Sequence, residues 1–168
     1  ATHLKVALEL DPKYSDARNN LGRLYIETKQ YDLAAQELSV VSNDLTYPSP
    51  EKALANLALA YYKKNEFQKS RDYAQQALKA DKTFCPAQSV YGLSLFALED
   101  YRKAVAAFDR VSTQCEREKE ESRYYSGLSL YKLGQKEKAV ARMQEVLSLF
   151  PEGEYAEKAK NMIGIMKW

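Results

Sequence analysis

Apolar residues recur along this chain with the spacing of a helix, and one short apolar cluster occurs four times. The clusters are LGRLY (21–25), LALAY (57–61), YGLSL (91–95) and SGLSL (126–130), and they begin 36, 34 and 35 residues apart. Apolar residues three and four positions apart line one face of a helix, and each cluster is followed by a second such pattern. A period between about 20 and 50 residues is typical of stacked supersecondary units. The pattern therefore predicts an all-α chain built from repeated helical hairpins.

Small residues occur where the two helices of each hairpin should touch. The first helices carry Gly22, Ala58, Gly92 and Gly127, and the second helices carry Ala34, Ser70, Ala104 and Ala139. Helix axes must approach to about 8–10 Å, and a large side chain at the contact would hold them apart. Proline marks two helix starts, because Ser49-Pro50-Glu51 has the form of an N-cap, an N1 proline and an acidic first turn, and Cys85-Pro86 is similar.

These signatures resemble the tetratricopeptide repeat (TPR) family, whose 34-residue unit is a helical hairpin. The resemblance implies an all-α, superhelical TPR solenoid of antiparallel helix pairs with a C-terminal capping helix, forming a single domain over residues 1–168. Its expected parts are the end of a truncated repeat (1–14), four TPR units (15–50, 51–84, 85–119 and 120–153) and the capping helix (154–168). Each hairpin exposes an apolar face that only a neighbouring hairpin can bury.

A second apolar stripe on the first helices indicates a binding surface. In the unit that starts at Glu51, the stripe of Ala55, Leu59 and Tyr62 runs beside the residues expected in the hairpin core. In TPR proteins these positions line the concave groove. The predicted partner-binding residues are Asn19, Arg23, Ile26, Ala55, Leu59, Tyr62, Ser89, Leu93, Phe96, Tyr124, Leu128 and Tyr131.

Two other interpretations of this stripe remain open. The side chains can pack between neighbouring first helices, or the chain's own last helix can fill the groove through Met162, Ile163, Met166 and Trp168. We expect that helix to cover the end of the solenoid instead, because the last repeat has no other neighbour to bury its exposed face.

The polar end of the stripe does not make a clamp for C-terminal carboxylates. Such clamps need Lys, Arg and Asn at successive inner positions, and only Asn19 and Arg23 fit. We expect these two side chains to orient a ligand by contacting its polar or acidic groups.

Charge and composition narrow the function further. The formal net charge of +2 gives no electrostatic case for nucleic acid. Gly-rich phosphate loops and paired metal-ligand spacings are absent from the sequence, and the one histidine, His3, has no partner motif beside it. We therefore expect no catalytic residues, no metal and no cofactor, and we expect the chain to bind another protein rather than to be an enzyme.

Residues 46–81 carry a narrower resemblance. The YPSPEKA turn followed by LALAYYKKNEF is similar to the TPR lipoproteins of type IV pilus biogenesis, the PilF/PilW/Tgl group of pilotins. That resemblance implies a factor that helps the pilus secretin to reach the outer membrane and to assemble there. The implied partner is a secretin subunit, and the implied location is the periplasmic side of the outer membrane of a Gram-negative bacterium, through a lipid anchor upstream of this chain. The alternative is a cytoplasmic co-chaperone or scaffold adaptor that binds a peptide segment of another protein.

The two cysteines fall at the same end of one predicted hairpin. Cys85 precedes the first helix of its repeat and Cys115 ends the second. A disulfide needs Cα atoms within about 7 Å, which this layout permits without demanding it, so two free buried thiols remain the alternative. The pilotin resemblance favours the bridge. A thiol enzyme is disfavoured, because no histidine lies near either cysteine in the sequence.

Overall fold

The computed structural model describes residues 2–11 and 14–166, and within these ranges the chain forms ten helices and no strand. The helices are α1 (Thr2–Leu10), α2 (Ser15–Glu27), α3 (Tyr31–Ser42), α4 (Pro50–Lys63), α5 (Phe67–Ala80), α6 (Cys85–Ala97), α7 (Tyr101–Gln114), α8 (Lys119–Lys132), α9 (Lys136–Leu149) and α10 (Ala156–Met166). The all-α fold class predicted from the repeat pattern is confirmed.

The N-terminal unit extends to Val90 and contains α1 to α5 with the start of α6. Each of α1 to α4 packs against the helix that follows it, and α2 also contacts α4. Its main core cluster consists of Leu21, Tyr25, Ala34, Ala35, Leu38, Leu57 and Ala60. A smaller cluster of Ala55, Ala77 and Ala87 joins α4 and α5 to the first turn of α6.

The C-terminal unit begins at Tyr91 and contains the rest of α6 with α7 to α10. In this unit α8 packs between α7 and α9, and α10 packs against α9. Its core cluster consists of Leu130, Ala139, Met143, Val146, Ala159 and Met166. The last helix thus buries apolar surface of the final hairpin through Ala159 and Met166, with Met162 and Ile163 packed alongside. Trp168, the fourth residue considered for this role, lies outside the described residues.

Glycine allows close helix contact in three hairpins. A Cβ added to Gly22 would collide with the Leu38 side chain, one on Gly92 would lie 2.7 Å from Phe108, and one on Gly127 would lie 2.9 Å from Met143. These three large residues each lie one helical turn after the small contact residue of the same second helix. All four of those small residues, Ala34, Ser70, Ala104 and Ala139, are fully buried.

The turn inside each hairpin has the same backbone conformation and the same hydrogen bond. Lys29, Asn65, Glu99 and Gly134 all have positive φ, between 60° and 74°. The residue after each donates its N–H back to the first helix, from Gln30 to Tyr25, Glu66 to Tyr61, Asp100 to Leu95 and Gln135 to Leu130, at 2.7–3.0 Å. This is the Schellman ending, in which one left-handed residue lets otherwise unpaired carbonyls accept hydrogen bonds. It sets the short, identical reversal that makes the two helices antiparallel.

Candidate binding face

In the N-terminal unit, a partly buried hydrogen bond joins two first helices. Asn56 Nδ2 on α4 donates to Asn19 Oδ1 on α2 at 2.9 Å. Asn19 is buried, so its amide positions α2 against α4 and presents little surface to a ligand. Asn56 was not among the predicted residues. Its signal in the sequence is a lone amide within the apolar run ALANLALAYY (53–62), because an amide that is taken out of water needs a polar partner.

Ala55 and Ser89 are also buried in this unit. Ala55 packs with Ala77 and Ala87, which places it within the core rather than on a surface. The remaining predicted residues reach solvent, because Arg23 is exposed and Ile26, Leu59 and Tyr62 are partly exposed. We call the three partly exposed residues, Ile26, Leu59 and Tyr62, the N-terminal face.

Tyr62 is braced by its own hairpin. Its ring lies 5.5 Å from that of Phe67, at an angle of 56°, across the turn from α4 to α5. Ile26 rests partly on the main core cluster of the unit. The N-terminal face is therefore a preformed apolar surface with one exposed cation, Arg23, beside it.

In the C-terminal unit the equivalent surface is aromatic. Leu93 is buried, whereas Phe96, Tyr124, Leu128 and Tyr131 are partly exposed. We call these four partly exposed residues the C-terminal face. The last three also pack against the core cluster of this unit, so each side chain is part core and part surface.

Ring contacts hold the C-terminal face in place. Phe96 lies edge-on to Tyr101 at 5.5 Å and to Tyr125 at 5.3 Å, and Tyr124 lies 5.0 Å from Tyr155. Aromatic pairs at these distances stabilise by about 0.5–1.5 kcal/mol beyond the area that they bury. A partner would thus meet aromatic side chains whose rotamers are already restricted.

Tyr155 anchors the segment that leads into α10. Its hydroxyl donates to Glu121 at 2.8 Å and its backbone N–H donates to Glu120 at 2.7 Å. Burial, with the neighbouring Glu121 carboxylate, raises the pKa of Tyr155 above its ordinary value, and burial also raises the pKa of Tyr124. Both phenols therefore remain neutral donors at physiological pH.

The N-terminal unit contains a matching anchor. The Tyr47 hydroxyl donates to Asp16 at 3.0 Å, and burial together with Asp16 raises the pKa of Tyr47 to about 12. In both units a tyrosine that follows a hairpin is tied to an acidic residue in the first turn of that hairpin.

Both cysteines of the chain, Cys85 and Cys115, are disulfide-bonded in the structure. The bridge that the pilotin resemblance favours is therefore present. With both sulfurs in a bond, neither cysteine is a thiolate nucleophile.

The paired helices, the Schellman turns and the packing of α2 on α4 define a class, the helical-hairpin repeat scaffolds. Models of the tetratricopeptide repeat match residues 1–48, 51–84 and 121–153, and the chain belongs to the TPR family. It is a protein-binding scaffold of that family. No curated protein matches the chain significantly.

Several solved structures share the fold. PilW, described as a widely conserved type IV pilus biogenesis factor, has a TM-score of 0.82 at 19% identity, over 92% of this chain and 71% of PilW. Pseudomonas aeruginosa PilF has a TM-score of 0.78 at 20% identity, over 94% of this chain and 71% of PilF. YrrB, described as a TPR protein with an unusual peptide-binding site, has a TM-score of 0.77 at 20% identity, over 94% of this chain and 80% of YrrB. At these identities the similarity shows the fold alone.

None of the helices in residues 2–11 and 14–166 combines the length and the apolar composition needed to cross a bilayer.

Proposed function

We propose that this protein is a type IV pilus assembly factor of the pilotin kind, which holds a segment of a secretin subunit and promotes its localisation and multimerisation. The observation that carries the proposal is the partly exposed apolar surface on the first helices. The N-terminal face offers Leu59 and Tyr62, and the C-terminal face offers Leu128 and Tyr131. Rigid aromatic and aliphatic side chains of this kind are typical anchors of protein interfaces.

The choice of a pilus partner is supported by two further observations. The turn and first helix in residues 46–81 resemble those of pilotins, and the fold is shared with PilW and PilF. The disulfide of Cys85 and Cys115 suits an oxidising compartment such as the periplasm. Attachment to the outer membrane would then occur through a lipid anchor outside this chain.

The ligand is best pictured as an amphipathic or extended apolar segment. A helix with anchors at positions i, i+3 or i+4, and i+7 matches side chains spaced three and four apart on a first helix. Arg23, which is exposed beside the N-terminal face, would contact a polar or acidic group of the segment.

A pull-down of purified secretin tests the proposal. We expect Leu59→Ser/Tyr62→Ser, or Leu128→Ser/Tyr131→Ser, to weaken binding about tenfold or more, because central apolar anchors typically contribute 1–2 kcal/mol or more each. The matched control is Leu33→Ser/Val40→Ser, which removes apolar side chains that are 40% and 54% exposed on a second helix, and it should bind like the wild type. Circular dichroism and thermal unfolding must first show that every variant is folded.

Folded variants of both faces that bind secretin at wild-type strength would contradict the proposal. If the wild-type protein does not bind secretin, the pilus role fails. Capture of a cytoplasmic client through the same faces would then favour the adaptor alternative.

A further inference from the structure

The C-terminal unit contains a second concave surface, away from the C-terminal face. A cleft of about 410 Å³ lies between α7 and α9, the second helices of consecutive hairpins, with the end of α8 at its base. Its volume is within the range of about 300–1,000 Å³ that is usual for ligand sites. None of the predicted partner-binding residues lines it.

We call the apolar part of the cleft lining its base. It consists of Val105, Leu130, Leu133 and Ala141, of which Leu130 is buried and Ala141 is exposed, and Val105 and Leu130 belong to the packing of the core of this unit. This base is therefore fixed by the hairpin fold and does not depend on a partner. It offers room for an apolar side chain between the two helices.

Part of the cleft lining is an ion-pair network in which two carboxylates share one cation. Arg142 on α9 contacts Asp109 on α7 at 3.0 Å and Glu145 at 3.0 Å. Asp109 also accepts a hydrogen bond from Ser126 on α8 at 2.8 Å. The charge of Arg142 is thus matched within the protein, and this part of the lining has no net positive charge to offer.

One end of the cleft is different in charge. Arg102 lies in the first turn of α7 and Lys138 lies in the first turn of α9, and both are exposed. Because α7 and α9 both pack antiparallel to α8, their first turns lie at the same end of the cleft. Among residues 2–11 and 14–166, neither cation forms a direct ion pair, although the charge of Arg102 helps to lower the pKa of the nearby Asp100. Lys138 donates to Gln135, the N-cap residue of α9, at 3.0 Å. This end therefore has two exposed cations that are not held in a direct ion pair.

We propose that this cleft is a second docking site, which takes an acidic peptide segment with one apolar anchor. The apolar side chain would occupy the base, and carboxylates beside it would face Arg102 and Lys138. The site is independent of the first-helix faces, so the protein could hold two segments at once. An acidic segment is favoured over a basic one because the unmatched charge of the cleft is positive.

The probe for this site is a fluorescein-labelled peptide with one leucine between two pairs of glutamates, measured by fluorescence anisotropy at low ionic strength. We expect binding that weakens about tenfold in Arg102→Glu/Lys138→Glu, since each exposed charge contact contributes a small, salt-sensitive part of the affinity. The matched control is Arg117→Glu/Lys160→Glu, which makes the same charge change at exposed positions of this unit outside the cleft, and it should retain most of the affinity. A peptide with lysines in place of the glutamates should bind far more weakly.

Location is tested separately by methyl NMR. Bound peptide should shift the methyl signals of Ala141 and Leu133 in the cleft more than those of Leu59. The proposal is overturned if the glutamate peptide does not bind, if both charge-reversal variants weaken it equally, or if the shifts centre on the first-helix faces. Secretin binding by the first-helix faces would survive each of these results, so the two proposals fail independently.

Discussion

The α4–α5 hairpin and the α8–α9 hairpin have different side chains at the equivalent positions where the first helix meets the second. In α8–α9, Gly127 faces Met143, sixteen residues further along the chain, and a Cβ on the glycine would meet the Met143 side chain at 2.9 Å. In α4–α5 the equivalent positions are Ala58 and Ala74, and both are fully buried. Both hairpins therefore keep a small residue on the first helix, while the buried side chain opposite it differs in size.

The two hairpins also place their larger side chains differently. The α4–α5 hairpin stacks Tyr61 on Tyr73 with ring centroids 5.4 Å apart and nearly parallel. At the corresponding positions α8–α9 has Leu130, in its core cluster, and Arg142, in the ion-pair network of the cleft. The outer surface of α9 is therefore charged where that of α5 is aromatic, which is why the cleft proposal belongs to the C-terminal unit.

The largest expected effect comes from filling a glycine contact. Gly92→Leu and Gly127→Leu should each lower the free energy of unfolding by about 1–3 kcal/mol or more, through overpacking between paired helices. Gly92→Leu should lower the free energy of unfolding more than Gly127→Leu does. A Cβ at position 92 would meet the rigid ring of Phe108 at 2.7 Å, whereas Gly127 faces the flexible end of Met143. Urea unfolding of both variants measures this, and unchanged midpoints in both would show that the helices do not meet at these glycines.

A double-mutant cycle tests whether the side chains at positions 58 and 74 share one packing space. Ala74→Met should destabilise α4–α5 by about 1–3 kcal/mol, because Ala74 is fully buried and a larger side chain would overpack its surroundings. Ala58→Gly/Ala74→Met recreates the Gly127 and Met143 arrangement and should recover part of that loss, with a coupling of about 0.5–3 kcal/mol. Strict additivity of the two single substitutions would mean that these positions do not share one packing volume.

A smaller effect is expected at the hairpin turns. Gly134 adopts φ of 74°, while the equivalent Glu99 adopts 62° without the freedom of glycine. Glu99→Gly should stabilise by about 0.5–1 kcal/mol, and Gly134→Ala should destabilise by about 1 kcal/mol, since a Cβ disfavours this conformation. Thermal unfolding of the two variants should therefore shift in opposite directions.

The helices and the small contact residues could be predicted from the sequence, because both follow from local periodicity. The large partners Leu38, Phe108 and Met143 could not, since a shift of one helical turn depends on how the paired helices cross. Periodicity also gives the face on which Asn19 and Ala55 lie, but not how far the neighbouring helices cover them. The burial of these residues depends on packing between helices, which no single helix pattern encodes.

The same reasoning explains why the cleft was not found from the sequence. Arg102, Lys138 and Arg142 look alike as surface cations in the sequence. Only the packing of α7 and α9 beside α8 shows that Arg142 is matched by Asp109 and Glu145 while the other two cations are not.

The central claim, that the first-helix faces hold a secretin segment, is tested most directly by site-specific photo-crosslinking. The photoreactive residue benzoylphenylalanine would replace Tyr131 on the C-terminal face or, as a control, Leu149, which is 54% exposed on a second helix. The account predicts a strong crosslink to secretin from position 131 and little or none from position 149. Equal crosslinking from both positions, or a crosslink from position 149 alone, would contradict it.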